Sequence, residues 1–186
     1  MQVVASLLSL QKNRTDDERS KLVFEQSQKR VEAMAFVHEL LYQSESLNKI
    51  PLDSYISRLT NSLLQTHSKG NISLAMDIEE ASLGIDQAIP CGLVINEFVA
   101  NAMEHAFSEG QSGKLEIKAR LLDDEIEISI ADNGRGMPAD FDLQTKKSLG
   151  LMLAKGLVEI QLRGTWDMTS GKTGTKHTMR FKKAEQ

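Results

Sequence analysis

Residues 96–107 read NEFVANAMEHAF, and the rest of the chain is interpreted outward from them. Glu97 and Asn101 stand four apart, as do Asn101 and His105, so on a helix all three share one face. The remaining positions, Leu93, Val94, Phe98 and Val99, are apolar. An acid, an amide and an imidazole on such a helix call for a polar partner. Taken alone, the stripe is equally a solvated helix face.

Two glycine-bearing turns follow it. The segment ADNGRGMP (131–138) leaves a run carrying Ile126, Ile128 and Ile130. Gly134 and Gly136 allow backbone to pass close to a flat ring. The Asp132 carboxylate at the strand end can accept a hydrogen bond from the exocyclic amine of adenine. By itself the segment is also an ordinary Asp-Asn-Gly turn. The second turn, SLGL (148–151), opens a helix with Ser148 as a candidate cap, and free amides at a helix start suit phosphate. Lys146 and Lys147 add positive charge there, although a solvated lysine pair is the plainer explanation. The polar residues 137–147 between the turns have the character of a lid. A magnesium ion takes oxygen ligands and keeps substrate phosphates in its shell, so Asn101 can supply one ligand. Glu97 can polarise an attacking hydroxyl, water or imidazole. In this order, the three elements point to magnesium and ATP.

Composition narrows the setting. A formal charge of -4 argues against a nucleic-acid partner, which selects a basic stripe. Asn96 and Glu97 interrupt the longest apolar run, so no membrane span is expected. The apolar 3–10 stretch has no basic residues before it, unlike a signal peptide. Cys91 is the single cysteine, which excludes an internal disulfide and a cysteine-rich zinc site. A cytoplasmic location is expected.

The chain reads as two parts, 1–48 and 49–186. No glycine precedes Gly70, and residues 1 to about 69 read as helical throughout. Leu7, Leu8 and Leu10 give a first helix its apolar stripe. Thr15-Asp16-Asp17-Glu18 has the form of a capping box, so a second helix should start there. The Asn13–Arg14 link makes the pair an antiparallel hairpin. Two helices alone cannot bury their stripes, so a homodimer forming a four-helix bundle is expected. A third helix is expected over 52–66, with Pro51 in its first turn. Beyond it, strands are expected over 72–78, 115–121, 126–130, around Trp166 and Met168, and over 178–181, where the last closes the sheet. Helices are expected over 90–107 and 148–162. The fold class is α+β: the hairpin followed by a two-layer α/β sandwich, one sheet face covered by helices.

These residues closely resemble the catalytic core of sensor histidine kinases, with a GHKL (Bergerat) ATP-binding domain. The 96–107 stretch is similar to the family's Asn-containing box, 132–138 to its first glycine box and 148–151 to its second. Gly174-Thr175 is similar to its last box, whose Thr sits by adenine. The resemblance implies Asp132, Gly134, Gly136 and Thr175 around adenine, and Asn101 on magnesium. It also implies Glu97 as a base-like catalytic residue with His105 beside phosphate or lid, and Lys147, Ser148, Leu149, Gly150 and Leu151 at the phosphates. SLLSLQ (6–11), VHELLYQS (37–44) and Tyr55-Ile56 resemble the dimerisation segment of a bacterial class with short lids, often joined to blue-light or other PAS-type sensors. The implied partners are an upstream sensor domain and a response-regulator receiver domain. In that class the acceptor histidine lies before the position of Gln2, so it is expected upstream of Met1. His38 matches a second-helix histidine that is not the usual acceptor, and its packing role is favoured. His67 and His177 read as surface or packing residues, and Trp166 as packing on the sheet. Two other readings stay open: a GHKL machine in which Glu97 activates water to hydrolyse ATP, and a degenerate scaffold that only binds a response regulator.

Overall fold

The computed structural model describes residues 2–42, 49–67, 71–108, 110–138 and 149–184. The chain falls into two compact units, Met1–Glu45 and Ser46–Gln186.

The first unit is a helical hairpin of α1 (Gln2–Arg14) and α2 (Glu18–Tyr42). Lys12 Nζ meets Glu25 Oε2 at 3.3 Å, while Ala5, Ser6 and Ser9 share a groove with Gln28, Val31 and Ala35, so the helices run antiparallel. The link differs from expectation, because α1 continues through Arg14 and residues 15–17 make the turn. Asp17, not Thr15, caps α2: its Oδ2 accepts the backbone N–H of Ser20 at 2.9 Å, three residues on. Val3, Leu7 and Leu10, at heptad spacing along α1, stay more than half exposed.

The second unit opens with β1 (Ile50–Pro51), α3 (Leu52–His67), β2 (Ile72–Ile78), β3 (Ser82–Leu83) and α4 (Ile85–Asn101). Then come β4 (Gly113–Leu122), β5 (Glu125–Asp132), α5 (Leu149–Gly156), β6 (Thr165–Gly171) and β7 (Gly174–Lys182). β1 and β3 form a small antiparallel pair, which the sequence did not signal. The main sheet runs β2-β4-β5-β7-β6. Among the described residues only β2 and β4 pair in parallel, which requires the crossover through α4. β7 lies inside the sheet and β6 forms its edge, so β7 does not close the sheet as expected.

Alternation sets the two faces of the sheet. Leu115, Ile117, Ala119, Ile126, Ile128, Ile130, Met179 and Phe181 are buried. Between them, Glu127 and Arg180 pair across β5 and β7, and Lys118 binds Glu116 at 2.7 Å on the polar face. The apolar face meets the helices, where Ala88, Cys91, Val94, Ile95, Phe98 and Val99 of α4 and Leu151 and Ala154 of α5 are buried. Each burial of a full aliphatic side chain contributes roughly 1.5–3 kcal/mol before conformational entropy is counted.

Two helix boundaries differ from the sequence reading. α4 starts five residues before Pro90, which therefore lies inside it, and Pro51 precedes α3 instead of entering its first turn. α4 passes directly into a π-helical turn at Ala102–Ala106, and α5 into another at Leu157–Gln161. Such wide turns recur at functional sites. The first one follows Asn101 immediately.

Candidate functional site

A cavity of about 680 Å³ opens beside this π-helical turn. α4 and the turn supply Phe98, Asn101, Ala102, His105 and Ala106, the end of β5 supplies Asp132, and the loop after it supplies Arg135, Gly136, Met137 and Pro138. Leu151 of α5 and Thr175 and His177 of β7 complete the lining. The volume lies in the range that encloses drug-sized ligands. Asn101, His105, Asp132, Gly136, Leu151 and Thr175, spread over 75 positions of sequence, therefore share one cavity.

Asp132 ends β5, and its Oδ1 accepts the backbone N–H of Gly134 at 2.9 Å and of Thr175 at 3.3 Å. Burial raises its carboxyl pKa, while those two amides pull the other way. The loop is held at both ends. Arg135 N–H donates to Ala106 O at 3.0 Å, and Arg135 Nε donates to His105 O at 2.7 Å. Met137 N–H donates to Ser170 Oγ at 2.8 Å, and that hydroxyl lies 2.9 Å from Thr175 Oγ1. Ser170 thus joins the loop to the strand turn, a link with no signal in the sequence.

The glycines match close approaches. A Cβ on Gly134 would overlap the Ala106 carbonyl, and Gly136, at φ 67, abuts the Gly171 carbonyl. Gly150, in the first turn of α5, faces the Glu97 carboxylate so closely that a Cβ would overlap Oε1. Glu97 is absent from the cavity lining; it sits against the start of α5. His105 lines the mouth with its side chain two-thirds exposed. Leu149 is exposed and does not line the cavity. Lys147 and Ser148 lie outside the described residues.

His177 takes the packing role of the two the sequence allowed, and it also reaches the cavity wall. It is 5% exposed, lines the cavity, and stacks on Phe98 with centroids 4.1 Å apart and planes 7° apart. Burial lowers its pKa to about 4, so the ring is neutral at neutral pH. Trp166 stacks against both rings, at 5.7 Å from Phe98 and 5.9 Å from His177. The available signal was the two-residue spacing from Thr175, which puts both side chains on one strand face. Cys91 is fully buried with its thiol pKa pushed up to about 12, the state of a core residue.

Asn101 provides the test for a metal. Its Nδ2 is buried with no partner among the described residues, at the cavity wall. No group of three His, Cys, Asp or Glu side chains among the described residues could cage a cation. An orphaned amide N–H is a donor and not a metal ligand; the oxygen of the same side chain is the atom that could take magnesium, in a site completed by substrate phosphates and water.

Comparison with known proteins agrees with this geometry. Residues 1–67 match a histidine kinase family, and residues 86–185 match the histidine kinase-, DNA gyrase B-, and HSP90-like ATPases. Blue-light-activated histidine kinase 2 of Erythrobacter litoralis is 28% identical over 182 residues, covering 93% of this chain and 51% of that protein. Sensor histidine kinase PdtaS of Mycolicibacterium smegmatis is 31% identical over 178 residues, covering 90% of this chain and 34% of that protein. The chain therefore spans about half or less of the length of these relatives. The histidine kinase domain of the Erythrobacter litoralis EL346 blue-light activated histidine kinase superposes with a TM-score of 0.74 at 22% identity, over 97% of this chain and 93% of that one, which shows a shared fold. Among the described residues no helix is long and apolar enough to cross a membrane. The hairpin, the five-stranded sheet under its helices and the family matches together make this chain a member of the histidine kinase family, with its second unit of the GHKL ATPase type.

Proposed function

We propose that the chain is the kinase core of a two-component signalling protein, with 1–48 as its dimerisation and phosphotransfer hairpin and 49–186 as its catalytic domain. It binds magnesium-ATP in the 680 Å³ cavity, transfers the γ-phosphoryl to a histidine, and that phosphoryl passes to a response-regulator aspartate. The observation that carries this reading is the meeting of Asn101, Asp132, Leu151 and Thr175 at one cavity.

Asp132 holds the adenine amine with the carboxylate oxygen that the Gly134 and Thr175 amides leave free. Gly134 and Gly136 let the loop lie close to the base, and Thr175 flanks it. Asn101 would hold magnesium through its amide oxygen, and the bound ion would neutralise phosphate charge. The amides at the start of α5, with Leu149, Gly150 and Leu151, face the phosphates, and Lys147 and Ser148 extend that cradle. Glu97, beside Gly150, orients and polarises the attacking imidazole; His105 stands at the mouth near the terminal phosphate. Catalysis of this kind rests on positioning and charge neutralisation.

The exposed Val3, Leu7 and Leu10 stripe supports a homodimer in which two hairpins form a four-helix bundle. An upstream sensor domain would set the packing of that bundle, and dependence on ATP places the work in the cytoplasm. Calorimetry of the chain with ATP and magnesium tests the reading, with a saturable heat as the expected outcome. No heat would return the chain to the degenerate-scaffold reading. Labelled ATP then separates transfer from hydrolysis: acid-labile phosphate on the chain or on a supplied hairpin supports a kinase, and steady release of free phosphate alone overturns it.

A further inference from the structure

Two turns interlock beside the cavity. The loop 132–137 leaves β5, and the turn 170–175 joins β6 to β7. Gly136 abuts the Gly171 carbonyl, and Gly174 abuts the Asp132 carbonyl. Asp132 Oδ1 accepts the Thr175 N–H at 3.3 Å, and Ser170 Oγ accepts the Met137 N–H at 2.8 Å. Ser170 and Thr175 face each other in register across β6 and β7, with their hydroxyl oxygens 2.9 Å apart.

Met137 and Thr175 both line the cavity, whereas Ser170 is exposed on the edge strand and does not line it. One hydroxyl outside the lining therefore ties a loop amide to a strand side chain, and both of those residues meet the ligand space. The glycine contacts depend on backbone shape alone, so they persist without this hydroxyl. What Ser170 adds is a side-chain restraint between two walls of one end of the cavity.

We propose that Ser170 is a positioning residue for the nucleotide base, acting through the Met137 amide and the Thr175 hydroxyl to hold those two walls at a fixed separation. It rests on the nucleotide reading above, in which adenine lies between Asp132, Gly136 and Thr175. Ser170 touches no ligand. It orders beforehand what the base would otherwise have to order on binding. Asn101 and the first turn of α5, at the phosphate end, share none of these bonds, so phosphate affinity is independent of Ser170.

Calorimetry of the full chain compares the parent with Ser170→Ala, each with magnesium-ATP and with magnesium-tripolyphosphate, which carries phosphates and no base. ATP should bind the variant about fivefold more weakly, and tripolyphosphate should not distinguish the two. The cycle is completed with Thr175→Val and the double variant. With the Thr175 hydroxyl gone, the loss caused by Ser170→Ala should shrink to about twofold or less. A hydroxyl that only supports the hairpin would give neither the split between ligands nor the coupling. Unchanged ATP affinity, the same loss with both ligands, or additive losses in the cycle overturns the assignment while the nucleotide reading stands. If the parent binds no ATP, both fall.

A measurement on the parent covers the case of a variant that does not fold. Hydrogen exchange of the Met137 amide should slow at least about fivefold with magnesium-ATP and stay unchanged with magnesium-tripolyphosphate. No slowing with ATP, or the same slowing with both, overturns the assignment.

Discussion

The Glu97 carboxylate fills the space that a side chain on Gly150 would need. One residue comes from near the C-terminal end of α4 and the other from the first turn of α5, so the contact joins the polar stripe to the glycine turn. A carboxylate is favoured beside helix-start amides, which is also where phosphate is favoured.

Gly150→Ala should therefore displace a flexible side-chain tip and leave the backbone in place. Its stability should stay within about 1 kcal/mol of the parent, while phosphoryl transfer drops at least about tenfold. Gly174→Ala should behave in the opposite way. At φ 119, and with its added Cβ against the Asp132 carbonyl, it should cost more than about 2 kcal/mol. Urea unfolding alongside a transfer assay distinguishes them, and equal stability losses would contradict the contact assigned to Gly150.

Asn101→Ala should separate nucleotide binding from its magnesium dependence. The buried Nδ2 has no partner among the described residues, so removing the amide should change stability by no more than about 1 kcal/mol. The gain in ATP affinity on adding magnesium should shrink at least about tenfold. An unchanged magnesium response would take Asn101 out of the metal site.

Acid should act on stability through His177. Its folded pKa of about 4 lies below the ordinary 6.5, so the unfolded chain binds the proton more readily. This contribution is complete above pH 6.5 and is lost as pH falls through the window toward 4. The expected loss between about pH 7.5 and about pH 5 is about 2 kcal/mol. Urea midpoints at the two pH values should show it for the parent and not for His177→Phe. Asp132 has the opposite sign, since its raised pKa lets the folded chain take up its proton first, so acid favours folding there. That protonation would remove the acceptor proposed for the adenine amine, and ATP affinity should then fall at a higher pH than an ordinary aspartate would give.

Leu7→Glu should dissociate the proposed homodimer. Leu7 is 55% exposed on α1 and lies between Val3 and Leu10 on one stripe, so a charge there would face the partner hairpin. Sedimentation should show a dimer for the parent and a monomer for the variant, with ATP binding by the second unit preserved. A variant that remains dimeric would move the interface off this stripe.

Local chemistry carried much of the architecture. The alternation of Leu115, Ile117 and Ala119 and of Ile126, Ile128 and Ile130, broken by Asp123-Asp124, was enough to specify a hairpin of two strands. The four-residue spacing of Glu97, Asn101 and His105 specified a polar helix stripe, although only Asn101 and His105 line the cavity. The α4 boundary was missed because Pro90 resembles a helix start, yet the apolar face that docks on the sheet begins at Ala88 and carries the helix across the proline. The cap at Asp17 was displaced from Thr15 because several oxygen-bearing residues lie side by side there, and only the backbone geometry selects one.

The sequence by itself determined the residue types, their spacing and their order, because helix and strand periods act over a few neighbours. Tertiary structure alone decided that β7 lies between β5 and β6, which brings Thr175 against Asp132 and His177 under Phe98. It also decided that Glu97 meets Gly150 while Asn101 faces the cavity. Those outcomes depend on packing between segments tens of residues apart, where burial and close approach select one arrangement that no local pattern encodes.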